Sequence, residues 1–191
     1  MNAQPKNASH REEYFQELRR CRILSPNSEW LTRILASWCA GEGALPDHLG
    51  LGAERFDELL QLRFPGFEVD GTAPSGRKAD FSRMLEREDL VRLLRGYSVG
   101  ESPERDWVVG ILVAGCLGDD HLWQDLGLWS RADLSALIGQ NFPELSALNV
   151  HDMKWKKFLY KRLCEEEGIY ICRAPSCHVC MDYHKCYGPE E

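Results

Sequence analysis

The residues best suited to do chemistry stand near the end of the chain. Four of its eight cysteines, Cys172, Cys177, Cys180 and Cys186, fall within fifteen residues in the pattern C-x4-C-x2-C-x5-C. So short a segment cannot build an apolar core of its own, and a bound metal is the leading candidate to fold it. A C-x2-C step lets two sulfurs reach one metal or neighbouring irons of one cluster. Structural zinc usually pairs two such steps a dozen or more residues apart. A single step flanked by one cysteine on either side suits a chain wrapped around a larger object. Cys172, Cys177 and Cys180 have the C-x4-C-x2-C spacing of plant-type iron–sulfur proteins, but the fourth cysteine is close by rather than remote. Spacing alone leaves three occupants open, in this order: an iron–sulfur-type cluster, zinc, and a thiol redox site.

Other polar groups gather near the thiols. His178 and His184 lie inside the loop and are candidate additional ligands, or else exposed loop residues. Four thiolates need positive charge to offset them. Arg173, Lys185 and the lysines of the preceding segment, Lys154, Lys156, Lys157 and Lys161 with Arg162, stand close in sequence. Lys154, Lys157, Lys161 and Arg173 are the candidate contacts for an oxyanion or an acidic partner, against the ordinary alternative of a solvated helix face. A second candidate is the polar connection Gly118–Asp125, with His121 and Trp123 as a functional loop. The favoured structural reading is that Asp119 or Asp120 caps a turn there while Trp123 packs. Cys164 could support the metal site, while Cys21, Cys39 and Cys116 fall in helical apolar patterns and read as core. No activated serine, paired-carboxylate arrangement or phosphate-cradling glycine loop stands out, so an enzyme is not expected.

The elements that must position these residues are helices. Residues 1 to about 8 read as disordered, and Ser9 with Glu12 forms a capping box opening a helix through Tyr14, Phe15, Leu18 and Cys21. A second helix carries Trp30, Ile34, Leu35 and Trp38 and stops at Gly41 to Gly43. A third runs from Ala53 to Arg63 and ends at Phe64-Pro65-Gly66. Residues 66 to 80 read as a mobile loop, and a fourth helix is expected from about Phe81 to Arg95. The pattern then repeats: Trp107, Ile111, Leu112, Cys116 and Leu126 to Leu128 match Trp30, Ile34, Leu35, Cys39 and Leu49 to Leu51 at an offset of 77. Leu134, Leu137, Ile138 and Phe142-Pro143 match Phe56, Leu59, Leu60 and Phe64-Pro65 at 78. A last helix, about 153 to 167, starts after the candidate caps Asn149 and Asp152 and buries Trp155, Phe158, Leu159 and Leu163. Its acidic end, Glu165 to Glu167, opposes the macrodipole.

The expected fold is therefore all-α: a helical bundle with an internal repeat of helical hairpins and a short cysteine-rich C-terminal metal-binding loop. The division is a helical body, 1–168, holding the copies 29–66 and 106–143 and the basic helix 153–167, followed by a cysteine-rich tail, 169–191. At 191 residues the chain can bury a real core, and 43% apolar with 28% charged residues is ordinary globular composition. The net charge of −7 offers no general field for a phosphate backbone, so nucleic acid is not an expected partner. The start lacks the apolar run of a secretory signal, and Val108 to Leu117 is about half the roughly 18 residues a membrane span needs. A cytoplasmic protein without a membrane partner is expected, in which clustered cysteines bind metal rather than form disulfides.

Three stretches resemble the NifQ family of nitrogen-fixation proteins: Met153 to Glu165, Cys172 to Cys180, and the closing Cys186-Tyr-Gly-Pro-Glu190. His121 to Leu128 is similar to that family's midsection. The likeness runs from about Trp107 to the end, and the first hundred residues add little to it. The resemblance implies a molybdenum carrier in assembly of the nitrogenase iron–molybdenum cofactor. Such a protein holds an iron–sulfur cluster that takes up molybdenum, from molybdate or another source, and passes it on. The implied partners are the cofactor scaffold complex and the nitrogenase Fe protein. The family's cysteine motif falls on Cys172, Cys177, Cys180 and Cys186 with no departure in spacing. An interaction module with a structural zinc site is the alternative function.

Overall fold

A computed structural model of the chain describes residues 6–69, 76–77, 80–81, 84 and 86–166, with side chains from His10 onward. The tail 169–191 and the extreme N-terminus lie outside the described residues, and so do Glu167 and most of the expected loop beyond Val69. What is described is helical: α1 (Lys6–Cys21), α2 (Ser28–Cys39), a 3₁₀ turn (Asp47–Gly50), α3 (Ala53–Arg63), α4 (Arg87–Gly96), α5 (Pro103–Gly115), α6 (Leu122–Asp125), α7 (Arg131–Asn141), α8 (Pro143–Ala147) and α9 (Trp155–Glu166). No strand occurs among the described residues.

The core is organised around α5. Trp107, Val108, Val109, Ile111, Leu112 and Val113 are each at most 2% exposed, so beyond its charged first turn this helix is apolar and buried around most of its circumference. Each such side chain contributes roughly 1.5–3 kcal/mol by leaving water. The local sequence starts it cleanly: Ser102 accepts the Arg105 N–H at 3.1 Å and Pro103 sits in the first turn. Ser130 starts α7 in the same way, accepting from the Asp133 N–H at 3.1 Å. Helices α3, α4 and α6 and the 3₁₀ turn pack against α5, while α1 lies along α2 and α9 against α4.

Two expected boundaries are corrected. Helix α1 is already formed at Lys6, which places Ser9 inside the helix instead of at its cap. Helix α4 begins at Arg87, not Phe81. Phe81 and Met84 belong to turns before it, with Met84 N–H on the Phe81 carbonyl and Arg87 N–H on the Met84 carbonyl. Glu88 and Asp89 place negative charge in the first turn of α4, where the helix dipole favours it. Met84 still fills the core at 2% exposure, which is why the apolar spacing continues upstream of the helix.

Some positions 77 or 78 apart in sequence share local geometry. Helices α3 and α7 have the same length, and each stops on a phenylalanine of the same backbone geometry, Phe64 at φ −135°, ψ 56° and Phe142 at φ −137°, ψ 60°. The Phe64 N–H donates to Leu60 and the Phe142 N–H to Ile138, both at 2.8 Å. Gly50 (φ +78°) faces Ala114 of α5, and Gly127 (φ +72°) faces Ser37 of α2. The contacts are reciprocal, each glycine pressing on the helix of the other hairpin. The hairpins differ between helix and glycine. His48 and Leu49 take left-handed φ of 56° and 55°, whereas the second connection forms the right-handed helix α6.

Candidate metal centre and the helix that leads to it

Cys172, Cys177, Cys180, Cys186, His178, His184 and Arg173 all lie outside the described residues. Among the described residues no group of three or more histidine, cysteine or acidic side chains is placed to hold a metal. What the structure does define is α9, the element that delivers the chain to the cysteines.

Helix α9 is fixed along its length. The Trp155 indole N–H donates to Ser135 Oγ of α7 at 3.0 Å, and Trp155, Phe158, Leu159, Tyr160 and Leu163 are all buried. Just before the helix, Asn149 is bonded to Met153 at both N–H and carbonyl (2.8 and 3.0 Å), while Asp152 pairs with Arg131. At its far end Glu165 and Glu166 are offset by neighbours. Arg162 reaches Glu165 at 2.7 Å, Lys161 reaches it at 3.6 Å, and Tyr97 of the α4 end bridges Arg162 and Glu166 at 3.2 Å each. Lys154, Lys157 and Lys161 are half-buried.

Lys156 does not share a basic face with them. It is buried, and its Nζ pairs with the Asp125 carboxylate and donates to the Gly118 carbonyl at 2.7 Å. Asp125 is 2% exposed. Burial pushes its carboxyl above the ordinary range, and the Lys156 hydrogen bond and charge work against that rise. Cys116 shares this environment. Burial pushes its thiol up to about 12 against the pull of the Lys156 ammonium, so it remains a protonated core residue. Gly118 has no side chain because a Cβ there would collide with the Asp125 carboxylate. The ion pair ties α9 to α6 and the Gly118 hydrogen bond ties it to the connection between α5 and α6, and sequence reading missed both partners. A signal existed: Lys156 is four residues before Tyr160 and seven before Leu163, on the buried stripe.

In the candidate loop, the His121 N–H donates to Gln124 Oε1 at 3.2 Å at the start of α6, so His121 takes the capping position expected of Asp119 or Asp120. Trp123 is half-buried and packs on the core. Its indole N–H is buried with no acceptor among the described residues. Cys39 is buried, while Cys21 and Cys164 are half-exposed. The Cys21 thiol lies 3.4 Å from the Leu18 carbonyl.

Comparison with known proteins places the chain. Residues 30–188 match the family NifQ. The chain is similar to Protein NifQ of Azotobacter vinelandii, 42% identical over 194 aligned residues, with 96% of this chain and 97% of that protein covered. It is also similar to Protein NifQ of Klebsiella pneumoniae, 34% identical with 85% and 99% covered. A third relative is the Protein NifQ homolog of Sinorhizobium fredii, 33% identical with 84% and 70% covered. The chain belongs to the NifQ family. The match begins at residue 30, so the expectation that the first hundred residues add little is corrected. No solved structure matches the chain.

Proposed function

We propose that this protein carries molybdenum on an iron–sulfur cluster and donates it for assembly of the nitrogenase iron–molybdenum cofactor in nitrogen fixation, working in the cytoplasm as a carrier without a catalytic step of its own. The observation that carries the reading is the four-thiol set Cys172, Cys177, Cys180 and Cys186 on a chain of the NifQ family. The donor chemistry fits: thiolates are the ordinary ligands of iron in iron–sulfur clusters. A cluster held there would supply sulfide for binding molybdenum, which is cargo. The chain's own part is to hold and to release. Three cysteines would hold iron, leaving Cys186, on the longest arm of the motif, as a weak or exchangeable ligand. His178 and His184 are further ligands in reach by sequence, and Lys154, Lys157, Lys161 and Arg173 would offset the thiolate charge or attract molybdate. The scaffold complex and the nitrogenase Fe protein would be its partners. We read the body as two copies of one hairpin, on the reciprocal glycine contacts and the matched phenylalanine stops.

Anaerobic purification, an absorption spectrum and metal analysis test this directly. A coloured protein with iron, sulfide and molybdenum is expected. A colourless protein holding zinc but neither iron nor molybdenum after anaerobic reconstitution would sink the proposal in favour of a structural zinc site. Within it, Cys186→Ala should retain iron that Cys177→Ala loses. Equal loss in both would remove the special role of Cys186.

A further inference from the structure

The described surface carries a positive site away from α9. Arg55 of α3 and Arg87, Arg92 and Arg95 of α4 line one open cleft of about 480 Å³, together with two carboxylates, Glu88 and Asp106. Four cations against these two anions and Asp89, which pairs with Arg92, leave it at +1, on a chain whose net charge is −7. All four arginines are exposed. The floor between them is apolar, with Leu51, Phe81 and Val91 half-buried at its surface and Val109 and Val113 buried beneath them.

Three of the arginines are already held in place. Arg95 bonds Asp106 at 3.0 and 3.2 Å, Arg92 bonds Asp89 at 2.7 Å, and the Arg87 guanidinium stacks 4.1 Å from the Phe81 ring centre. A guanidinium has five N–H donors, so each keeps donors to offer after these contacts. Arg55 makes no ion pair among the described residues. Fixing side chains before a partner arrives lowers the entropy that binding must overcome.

We propose that this cleft docks a partner protein through an acidic surface whose carboxylates meet the arginine rim and whose central apolar side chains rest against the half-buried Leu51, Phe81 and Val91. An apolar centre ringed by arginine is the composition of protein interfaces, and the open cleft is far larger than one small anion needs. Its position gives the docking a purpose. Arg92 also lines a neighbouring cleft of about 450 Å³ with Leu93, Tyr97, Leu163 and Glu166, where the described part of α9 ends. Cys172 follows Glu166 by six positions, and six residues of chain reach at most about 20 Å. Cys172 therefore lies no more than about 20 Å from the end of α9, which shares a cleft with Arg92. The proposal rests on the donor reading, with the recipient of molybdenum as the docked protein.

The test titrates the purified, metal-loaded full chain against the purified cofactor scaffold complex at about 50 and about 300 mM salt. Arg55→Glu/Arg87→Glu is expected to weaken binding about tenfold or more at low salt, chiefly by slowing association, with iron and molybdenum content unchanged. Arg55→Glu alone, at a side chain with no ion pair to lose, should weaken it about threefold. Arg19→Glu/Arg20→Glu changes charge equally on α1, outside the cleft, and should stay within about twofold. Circular dichroism checks that each variant is folded. Wild-type affinity in folded Arg55→Glu/Arg87→Glu overturns the docking proposal and leaves the donor reading intact. Equal weakening by the α1 variant assigns the effect to net charge and also overturns it. A salt-sensitive dimer of the chain, lost in the cleft variant while scaffold binding persists, gives the cleft to a second copy and again overturns it. Failure of the wild type both to bind and to transfer molybdenum would sink the donor reading itself.

Discussion

The pairing of Lys156 with Asp125 puts two full charges in the interior, each less than a tenth exposed. Desolvating both is costly, and the mutual attraction repays that cost only while both are present. Lys156→Met keeps most of the volume and leaves a bare buried carboxylate, so it is expected to cost about 3 kcal/mol at neutral pH. Asp125→Asn should cost less, because the ammonium keeps the Gly118 carbonyl. The double variant should cost less than the sum by about 1 kcal/mol or more, the signature of a coupled pair. The pH dependence has a definite sign. Burial already raises the Asp125 carboxyl, and losing the opposing ammonium raises it further. A folded-state value above the unfolded one contributes stability that is present below the ordinary 3.8 and lost as pH rises through the raised value. The Lys156→Met penalty should therefore be small near pH 3.8 and grow toward neutrality. Denaturant titrations at both ends of that range would check it, and an equal penalty at both would assign the cost to lost packing. Composition could not reveal this pair, because a lysine among lysines looks solvated until its partner, 31 residues earlier, is placed against it.

At the scale of elements, what local chemistry dictates was legible and what tertiary packing dictates was not. Helix α3 was readable to the residue, because glycine precedes it and Phe64-Pro65-Gly66 stops it. The start of α4 was not, because Met84 is buried from a turn and so mimics helical spacing. The two Leu-Gly-Leu connections make a sharper claim. Gly50 and Gly127 both have positive φ, and a Cβ would stand 2.5 Å from Ala114 Cβ in one case and 2.6 Å from Ser37 Cβ in the other. Gly50→Ala and Gly127→Ala should each destabilise by about 1–3 kcal/mol through backbone strain plus overpacking. Similar losses in chemical denaturation are expected because the environments correspond; a neutral Gly127→Ala would show that α2 can move away from the second hairpin. Between elements, Glu29 of α2 receives Arg22 at 2.7 Å and Arg33 at 3.0 Å, and Arg33 continues to Asp133 of α7 at 2.6 Å. Burial alone would raise the Glu29 carboxyl, but the two arginines outweigh it and hold it below 4.5. Its stabilisation is present above that value and lost as pH falls through the lowered one, and Glu29→Gln should flatten that part of the acid limb. With the side chain 37% exposed, solvent screening keeps the effect below about 1 kcal/mol.

For the whole molecule, the described residues form one core to which every long helix contributes, and α9 belongs to it as fully as α5 does. The cysteine motif is visible in residue type and spacing alone, but its residues lie outside the described ones. The arginine cleft was not visible there, because Arg55 and the Arg87 to Arg95 stripe come together only when α3 and α4 pack on α5. The described body therefore holds its shape through apolar burial, and the helix that precedes the cysteines is locked into it at Lys156 and Trp155. Stripping the metal should then distinguish the body from the cysteine tail. Cys177→Ala/Cys180→Ala, or chelation of the wild type, should abolish bound iron and molybdenum while helical circular dichroism is unchanged and the melting temperature stays within about 2 °C, a shift equivalent to at most about 1 kcal/mol for a chain of this size. A drop of about 10 °C would instead mean that the metal-bound tail packs on the body and stabilises it. Docking at the arginine cleft would then have to act on the tail through that contact.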